Sequence, residues 1–212
     1  MTDQQQNNAA PIIYFVISRE HRRDVSEQIG RIVLSVLGTP SQRIERAGAK
    51  DAHVNPMTAD EITTWLRPCR QLVIAGDEPM ATDLRPVIRA VLADGGQVRI
   101  ETPGTVWPTW LGRSQPAEPL PLAIDGLPTS LSVTVQPTPG YLDAMIELAT
   151  EVVVRVGGDA DGPGWPTLLT AVRWAEIGKR VALLPADETA KRACDMVRLT
   201  STVVFEVREI PR

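Results

Sequence analysis

The sequence predicts an α/β fold built on a mostly parallel sheet, and two patterns lead to this prediction. Short segments rich in Val, Ile and Leu alternate with segments of helical period, as they do in βα units. Several of the short segments are apolar at nearly every residue, which is typical of strands covered on both faces. The predicted strands span residues 12–17, 31–37, 71–75, 97–101, 130–135, 151–156, 180–184 and 202–208.

The predicted helices follow from their capping residues and apolar stripes. Thr58 and Glu61 fit a capping box, in which the glutamate side chain returns to the backbone of the cap residue. Between residues 83 and 94 apolar side chains recur at helical spacing, so this stripe is expected to face the core. Gly95-Gly96 supplies a left-handed end to that helix. Further helices are predicted over 139–149, 166–178 and 187–199, with Asp187 as the cap of the last.

Two segments depart from this alternation. Residues 1–10, MTDQQQNNAA, are polar and predict a flexible tail before a single α/β domain over 11–212. Residues 102–129 contain six prolines together with Trp107 and Trp110. A connection of this length without regular structure is usually either functional or disordered. It is therefore either an ordered flap packed through its tryptophans or a rigid, proline-rich surface connector.

Composition and motif content argue against several classes of function. The formal net charge is −4, which gives no basic surface for nucleic acid or an anionic membrane. No apolar segment is long enough to span a membrane, so a cytoplasmic protein is expected. Cys69 and Cys194 form no C-x-x-C pattern, and His21 and His53 form no cluster, so no metal site is predicted. Dinucleotide, P-loop and nucleophile-elbow motifs are also absent.

Acidic residues follow a predicted strand in the turn Gly76-Asp77-Glu78-Pro79. The carboxyl ends of parallel strands are where α/β proteins bind ligands. Glu78 is therefore either a ligand-facing carboxylate or an exposed turn residue, because a residue before proline is pushed out of the helical region. Asp77 either accepts an ammonium group or caps the next helix. Acid–base chemistry by Asp77, Glu78 and Glu101 is conceivable, since close carboxylates push their pKa values apart.

Three motifs occur in a fixed order along the chain: MTADEI at 57–62, AGDEP at 75–79 and IETPGT at 100–105. They resemble the M-T-x-x-E-I, G-G-E-P and I-E-T-N-G-T motifs of the 7-carboxy-7-deazaguanine synthase family, radical-SAM enzymes of the deazapurine (queuosine) pathway. The resemblance covers about residues 12–208. It implies an incomplete (β/α) barrel of the radical-SAM type and a homodimer.

The cysteine loop of that family is where the chain departs from it. Laid on GTPSQRIERAG, the family pattern C-x-x-x-C-x-x-C places Thr39, Arg43 and Arg46 at the three cysteine positions, and residues 1–68 contain no cysteine. In the family these cysteines hold a [4Fe–4S] cluster that binds S-adenosylmethionine, a task for thiolates that arginine cannot perform. The family's C-D-T, which helps to place a magnesium ion, is replaced as well. We therefore expect no cluster, no metal and no radical-SAM lyase activity.

The resemblance also implies a ligand crevice. Asp77 replaces the second glycine of the family turn that receives the methionyl amine, at an expected backbone cost of about 1 kcal/mol. Binding of S-adenosylmethionine is therefore left open. In the family's sheet Glu101 would point into the same cavity as Glu78. The residues implied for the crevice are Gly76, Asp77, Glu78, Pro79, Glu101, Thr102, Gly104 and Thr105.

Three functions are consistent with these features of the sequence. The first is a relative of the synthase that has lost catalysis and serves as a binding, regulatory or assembly component, with a small molecule or a protein as its partner. The second is an enzyme that performs non-redox chemistry on a deazapurine, pterin or nucleotide-like ligand in the same crevice. The third is radical-SAM activity that uses the cysteines of a partner.

Overall fold

The computed structural model of the chain describes residues 13–21, 28–34, 52–57, 62, 64, 69–83, 85–108, 110, 131–201 and 203–209. The strands are β1 (Ile13–His21), β2 (Gln28–Leu34), β3 (Ala52–Met57), β4 (Gln71–Gly76), β5 (Gln97–Thr102), β6 (Leu131–Val135), β7 (Glu151–Val156), β8 (Val181–Pro185) and β9 (Glu206–Val207). The helices are α1 (Arg85–Ala93), α2 (Asp143–Leu148), α3 (Leu168–Glu176) and α4 (Glu188–Thr200). Short 3-10 turns lie at Pro79–Ala81 and Gly158–Asp161.

The strands form one nine-stranded sheet in the order β3-β1-β2-β4-β5-β6-β7-β8-β9. From β2 to β9 every neighbouring pair is parallel, whereas β1 pairs antiparallel with both β2 and β3. Parallel neighbours in sequence order wind in one direction, which places their crossover helices on one face of the sheet. In the described part of the chain β3 and β9 remain the two edges. The predicted incomplete barrel with a mostly parallel sheet is confirmed.

Strands β4 to β8 begin and end within one residue of their predicted positions. The segment predicted over 12–17 as a strand of a βα unit instead forms a hairpin with β2. Strand β3 was not predicted, and it contains Pro56, which lacks a backbone N–H. Proline is tolerated at the edge of a sheet, which is where β3 lies. The strand predicted over 202–208 is reduced to the two residues of β9.

Two predicted helix ends are confirmed. The Asp187 carboxylate accepts a hydrogen bond from the Ala190 amide at 2.8 Å and caps α4. Gly95 has a φ of +75° and follows the end of α1. The capping box at Thr58 and Glu61, the tail at 1–10, and residues 109 and 111–129 of the proline-rich segment lie outside the described residues. Among the helices that the structure describes, none is both long and apolar enough to cross a bilayer.

Alternate residues of the strands face the helices and form the core. Ile74, Ile100 and Val133 belong to this face and are fully buried in one apolar cluster. Because strand side chains alternate between faces, their neighbours point to the opposite side. On β5, β6 and β7 that opposite side carries polar residues, namely Arg99, Glu101, Ser132, Thr134, Glu151 and Arg155.

Candidate ligand crevice

A crevice of about 300 Å³ opens at the carboxyl ends of β4, β5 and β6. The ends of parallel strands meet at one edge of the sheet, so segments distant in sequence lie together there. Its lining residues are Ala75, Gly76, Asp77, Glu101, Thr102, Pro103, Gln136 and Thr138.

The crevice combines expected and unexpected residues. Asp77 and Glu101 line it together with Gly76 and Thr102. Gln136 and Thr138 also line it, and neither was singled out in the sequence. The signal that could have identified them is topological, because they directly follow a parallel strand.

The Glu78 carboxylate does not line the crevice but joins two turns. Its Oε1 accepts a hydrogen bond from Thr102 Oγ1 at 3.0 Å. Its Oε2 accepts one from Thr105 Oγ1 at 2.5 Å. Both carboxylate oxygens are therefore occupied, and Glu78 is half-buried. Glu78 therefore holds the two turns together beside the crevice, and its expected role toward a ligand stays a prediction.

Gly104 allows the second of these turns to pack closely. It has a φ of +78°, and a Cβ built there would lie 2.8 Å from Val135 Cγ1. Its amide donates to Thr102 Oγ1 at 3.1 Å, and its carbonyl accepts from the Leu142 amide at 2.9 Å. A larger residue would therefore push this turn away from β6 and alter the crevice wall.

The tryptophans of the proline-rich segment support the turn that follows β4. Trp110 is buried, and its Nε1 donates to the Met80 carbonyl at 2.9 Å. Trp107 is half-buried and packs against the core. Both observations support the ordered-flap interpretation for the described residues 102–108 and 110.

Two carboxylates, Asp77 and Glu101, line the crevice, and an arginine lies close to Glu101. Arg99 Nη2 lies 2.8 Å from Glu101 Oε1, and these side chains are 40% and 19% exposed. The pair lies along one face of β5, because the two residues are two positions apart. Arg99 Nε is buried and has no hydrogen-bond partner. The crevice therefore offers oxygen acceptors, and an arginine lies next to one of them.

The donor set does not fit an iron–sulfur cluster. Thr39, Arg43 and Arg46 lie outside the described residues, but none of these residue types supplies a thiolate. Cys69 is buried and precedes β4, at the opposite end of the strand from the crevice. Cys194 is fully buried in α4, and burial raises the pKa of its thiol to about 11. Within the described ranges no three His, Cys, Asp or Glu side chains form a metal-binding group.

Comparison with known proteins gives one structural match and one local sequence match. No family model matches the sequence. The structure superimposes on QueE from Escherichia coli with a TM-score of 0.59, over 92% of this chain and 93% of QueE, at 15% sequence identity. The fold is that of QueE.

A local sequence match points the same way. A stretch of 41 residues is 46% identical to the 7-carboxy-7-deazaguanine synthase of Rhodospirillum rubrum. This stretch covers only 19% of the chain and 17% of that synthase. Together, the shared fold and the local match support a relationship to the family whose motifs the sequence resembles.

Proposed function

We propose that this chain is a divergent relative of the 7-carboxy-7-deazaguanine synthases that binds a small polar ligand in its crevice without an iron–sulfur cluster. The donor set is the observation that carries this proposal. Residues 1–68 contain no cysteine, and both cysteines of the chain are buried away from the crevice. A buried thiol that stays protonated is a poor metal ligand.

The framework of the crevice supports a retained binding role. Glu78 ties the turn after β4 to the turn after β5, and Trp110 supports the first of these turns. A site that is held by hydrogen bonds before the ligand arrives loses less conformational entropy on binding. The proposed role is therefore a binding, regulatory or assembly component, in which the ligand controls the protein and is not consumed.

The carboxylates of the crevice indicate the kind of ligand. Asp77 and Glu101 line the cavity and accept hydrogen bonds but cannot donate them when ionised. A ligand that carries amino or ammonium groups can donate hydrogen bonds to these carboxylates, and S-adenosylmethionine and pterins both carry such groups. Asp77 is the side chain that we assign to a ligand ammonium.

An enzyme with non-redox chemistry is the alternative, and one observation favours it. Asp77 and Glu101 line the same crevice, and two nearby carboxylates with different surroundings can divide acid and base roles between them. Conversion of a pterin or a deazapurine by the purified protein without any reductant would favour this alternative over a pure binding role.

Isothermal titration with S-adenosylmethionine and with pterin-6-carboxylate tests the crevice. We expect at least one probe to bind the unmodified protein, and Asp77→Asn and Glu101→Gln to weaken that binding about tenfold. Asp94→Asn is the matched control, because Asp94 is exposed beyond the end of α1 and does not line the crevice. Binding that ignores both crevice substitutions, or no binding of either probe, would count against the proposal.

A further inference from the structure

A second cavity, of about 190 Å³, lies at the carboxyl end of β7. It is enclosed by Arg155 and Val156 at the end of that strand, by the following loop and by Leu168 at the start of α3. The loop contacts the segment that follows β6, since a Cβ built at Gly164 would lie 3.3 Å from Pro139 Cβ. The second cavity shares no lining residue with the crevice.

One wall of this cavity is apolar and contains an aromatic ring. Trp165 is half-buried, and its amide donates to the Gly162 carbonyl at 3.3 Å, which fixes the loop around it. Pro166 and Ala160 are buried beside it. An aromatic face with apolar neighbours is suited to an aliphatic or aromatic side chain of a ligand.

The cavity also presents one group of each charge. Asp161 lines it, and within residues 131–201 nothing forms a hydrogen bond or an ion pair with its carboxylate. Arg155 lines it as well, and its Nη2 lies 3.6 Å from Asp159 Oδ1, with side chains 46% and 68% exposed. A long, solvent-exposed ion pair contributes little, so Arg155 can exchange it for a carboxylate of a ligand.

We propose that the second cavity binds a free amino acid with an apolar side chain. The ligand ammonium pairs with Asp161, its carboxylate pairs with Arg155, and its side chain packs on Trp165. The cavity is smaller than the roughly 300–1,000 Å³ of sites for drug-sized ligands, which fits a single amino acid. This site goes beyond the proposed function, because it uses none of the residues of the crevice.

Three related probes separate the two charged contacts. L-phenylalanine carries both charges, phenethylamine lacks the carboxylate and 3-phenylpropionate lacks the amine. Titration calorimetry should show L-phenylalanine binding about tenfold more tightly than either analogue, because each analogue leaves one charged side chain without its partner. The indole N–H resonance of Trp165, assigned by its absence from Trp165→Phe protein, should shift on binding.

Two substitutions should produce a crossed pattern. Asp161→Asn should lower the affinity for L-phenylalanine to that of 3-phenylpropionate and leave 3-phenylpropionate unchanged. Arg155→Gln should lower it to that of phenethylamine and leave phenethylamine unchanged. Asp94→Asn and Arg173→Gln, both at exposed positions outside the cavity, are the matched controls.

Each result of these titrations either supports or overturns the amino acid site. The crossed pattern would establish the amino acid site. Equal affinity for all three probes, binding that survives both substitutions, or no binding of L-phenylalanine and L-leucine at millimolar concentration would overturn it. Because all variants keep the crevice intact, titration with the crevice probes distinguishes a loss of this site from a general loss of folding.

Discussion

The face of the sheet under the helices and the face opposite it carry different chemistry on the same strands. Under the helices, Ile100 and Val133 are fully buried in the apolar cluster. On the opposite face the adjacent positions are Arg99 and Ser132, and Glu101 lines the crevice. Burial of apolar area is the dominant favourable term in folding. The helix-covered face therefore stabilises the fold, and the opposite face is free to change its chemistry while the fold of QueE persists.

Substitutions on the helix-covered face should cause the largest loss in the free energy of unfolding. Ile100→Ala should lower the free energy of unfolding by about 3 kcal/mol, since it removes a buried side chain and leaves a cavity. Ser132→Ala, on the neighbouring strand and the opposite face, should change it by less than about 1 kcal/mol, because its hydroxyl makes only a 3.5 Å contact with the Val98 carbonyl. Urea unfolding measures both. Equal losses would contradict the division between the faces.

Substitution of Glu151, the most buried carboxylate among the described residues of the opposite face, should lower the free energy of unfolding by a smaller amount. Its Oε1 accepts from Arg208 Nη2 at 3.0 Å and lies 3.3 Å from Arg180 Nε. Glu151→Gln should cost about 1.5 kcal/mol, because it removes the charge of a buried acceptor from Arg208, whereas Arg180 and Arg208 both keep Glu206 as a partner.

The control for this prediction is an exposed ion pair. Asp195 Oδ1 lies 3.2 Å from Arg198 Nη2 on the surface of α4, so Asp195→Asn should cost only a few tenths of a kcal/mol. If Glu151→Gln were as mild as this control in chemical denaturation, the opposite face would contribute no specific interactions to stability.

The hydrogen bonds of Glu78, which join the turn after β4 to the turn after β5, should contribute about 1 kcal/mol to the free energy of unfolding. Glu78→Gln replaces one acceptor oxygen with an amide that cannot accept the Thr105 hydroxyl. The Leu142 amide, which donates to the Gly104 carbonyl, should then exchange its hydrogen faster, because the turn around Gly104 is less well held. Native-state hydrogen exchange measures this, with Glu176→Gln, at an exposed position of α3, as the control. Unchanged exchange would mean that Gly104 packing alone holds the turn.

The smallest expected change in the free energy of unfolding comes from Asp83 and depends on pH. Hydrogen bonds from Arg85 hold the pKa of the Asp83 carboxyl below its usual value of 3.8. A folded-state pKa below the unfolded one adds stability that is present above pH 3.8 and is lost as pH falls through the folded value. Asp83 is 40% exposed, so Asp83→Asn should cost only a few tenths of a kcal/mol at neutral pH and nothing in strong acid. A cost independent of pH would contradict this origin.

Local pattern was enough to predict strands β4 to β8 of the parallel sheet and the cap at Asp187, whereas β2 begins three residues before its predicted position. These features depend on neighbouring residues, which a single sequence shows directly. Strand β3 was missed because its pairing with β1 is long-range and its proline argues against a strand. The role of Glu78 was missed for a related reason, since its partners lie 24 and 27 residues away and depend on how two turns meet. Gln136 joined the crevice only through the register of β5 and β6.

Anaerobic iron–sulfur reconstitution, followed by iron counting, visible absorbance and an assay for S-adenosylmethionine cleavage, tests the central claim most directly. The protein should hold no stoichiometric cluster and should release no 5′-deoxyadenosine, because residues 1–68 contain no cysteine to supply the thiolates. A cluster with four irons per chain that cleaves S-adenosylmethionine reductively would contradict it.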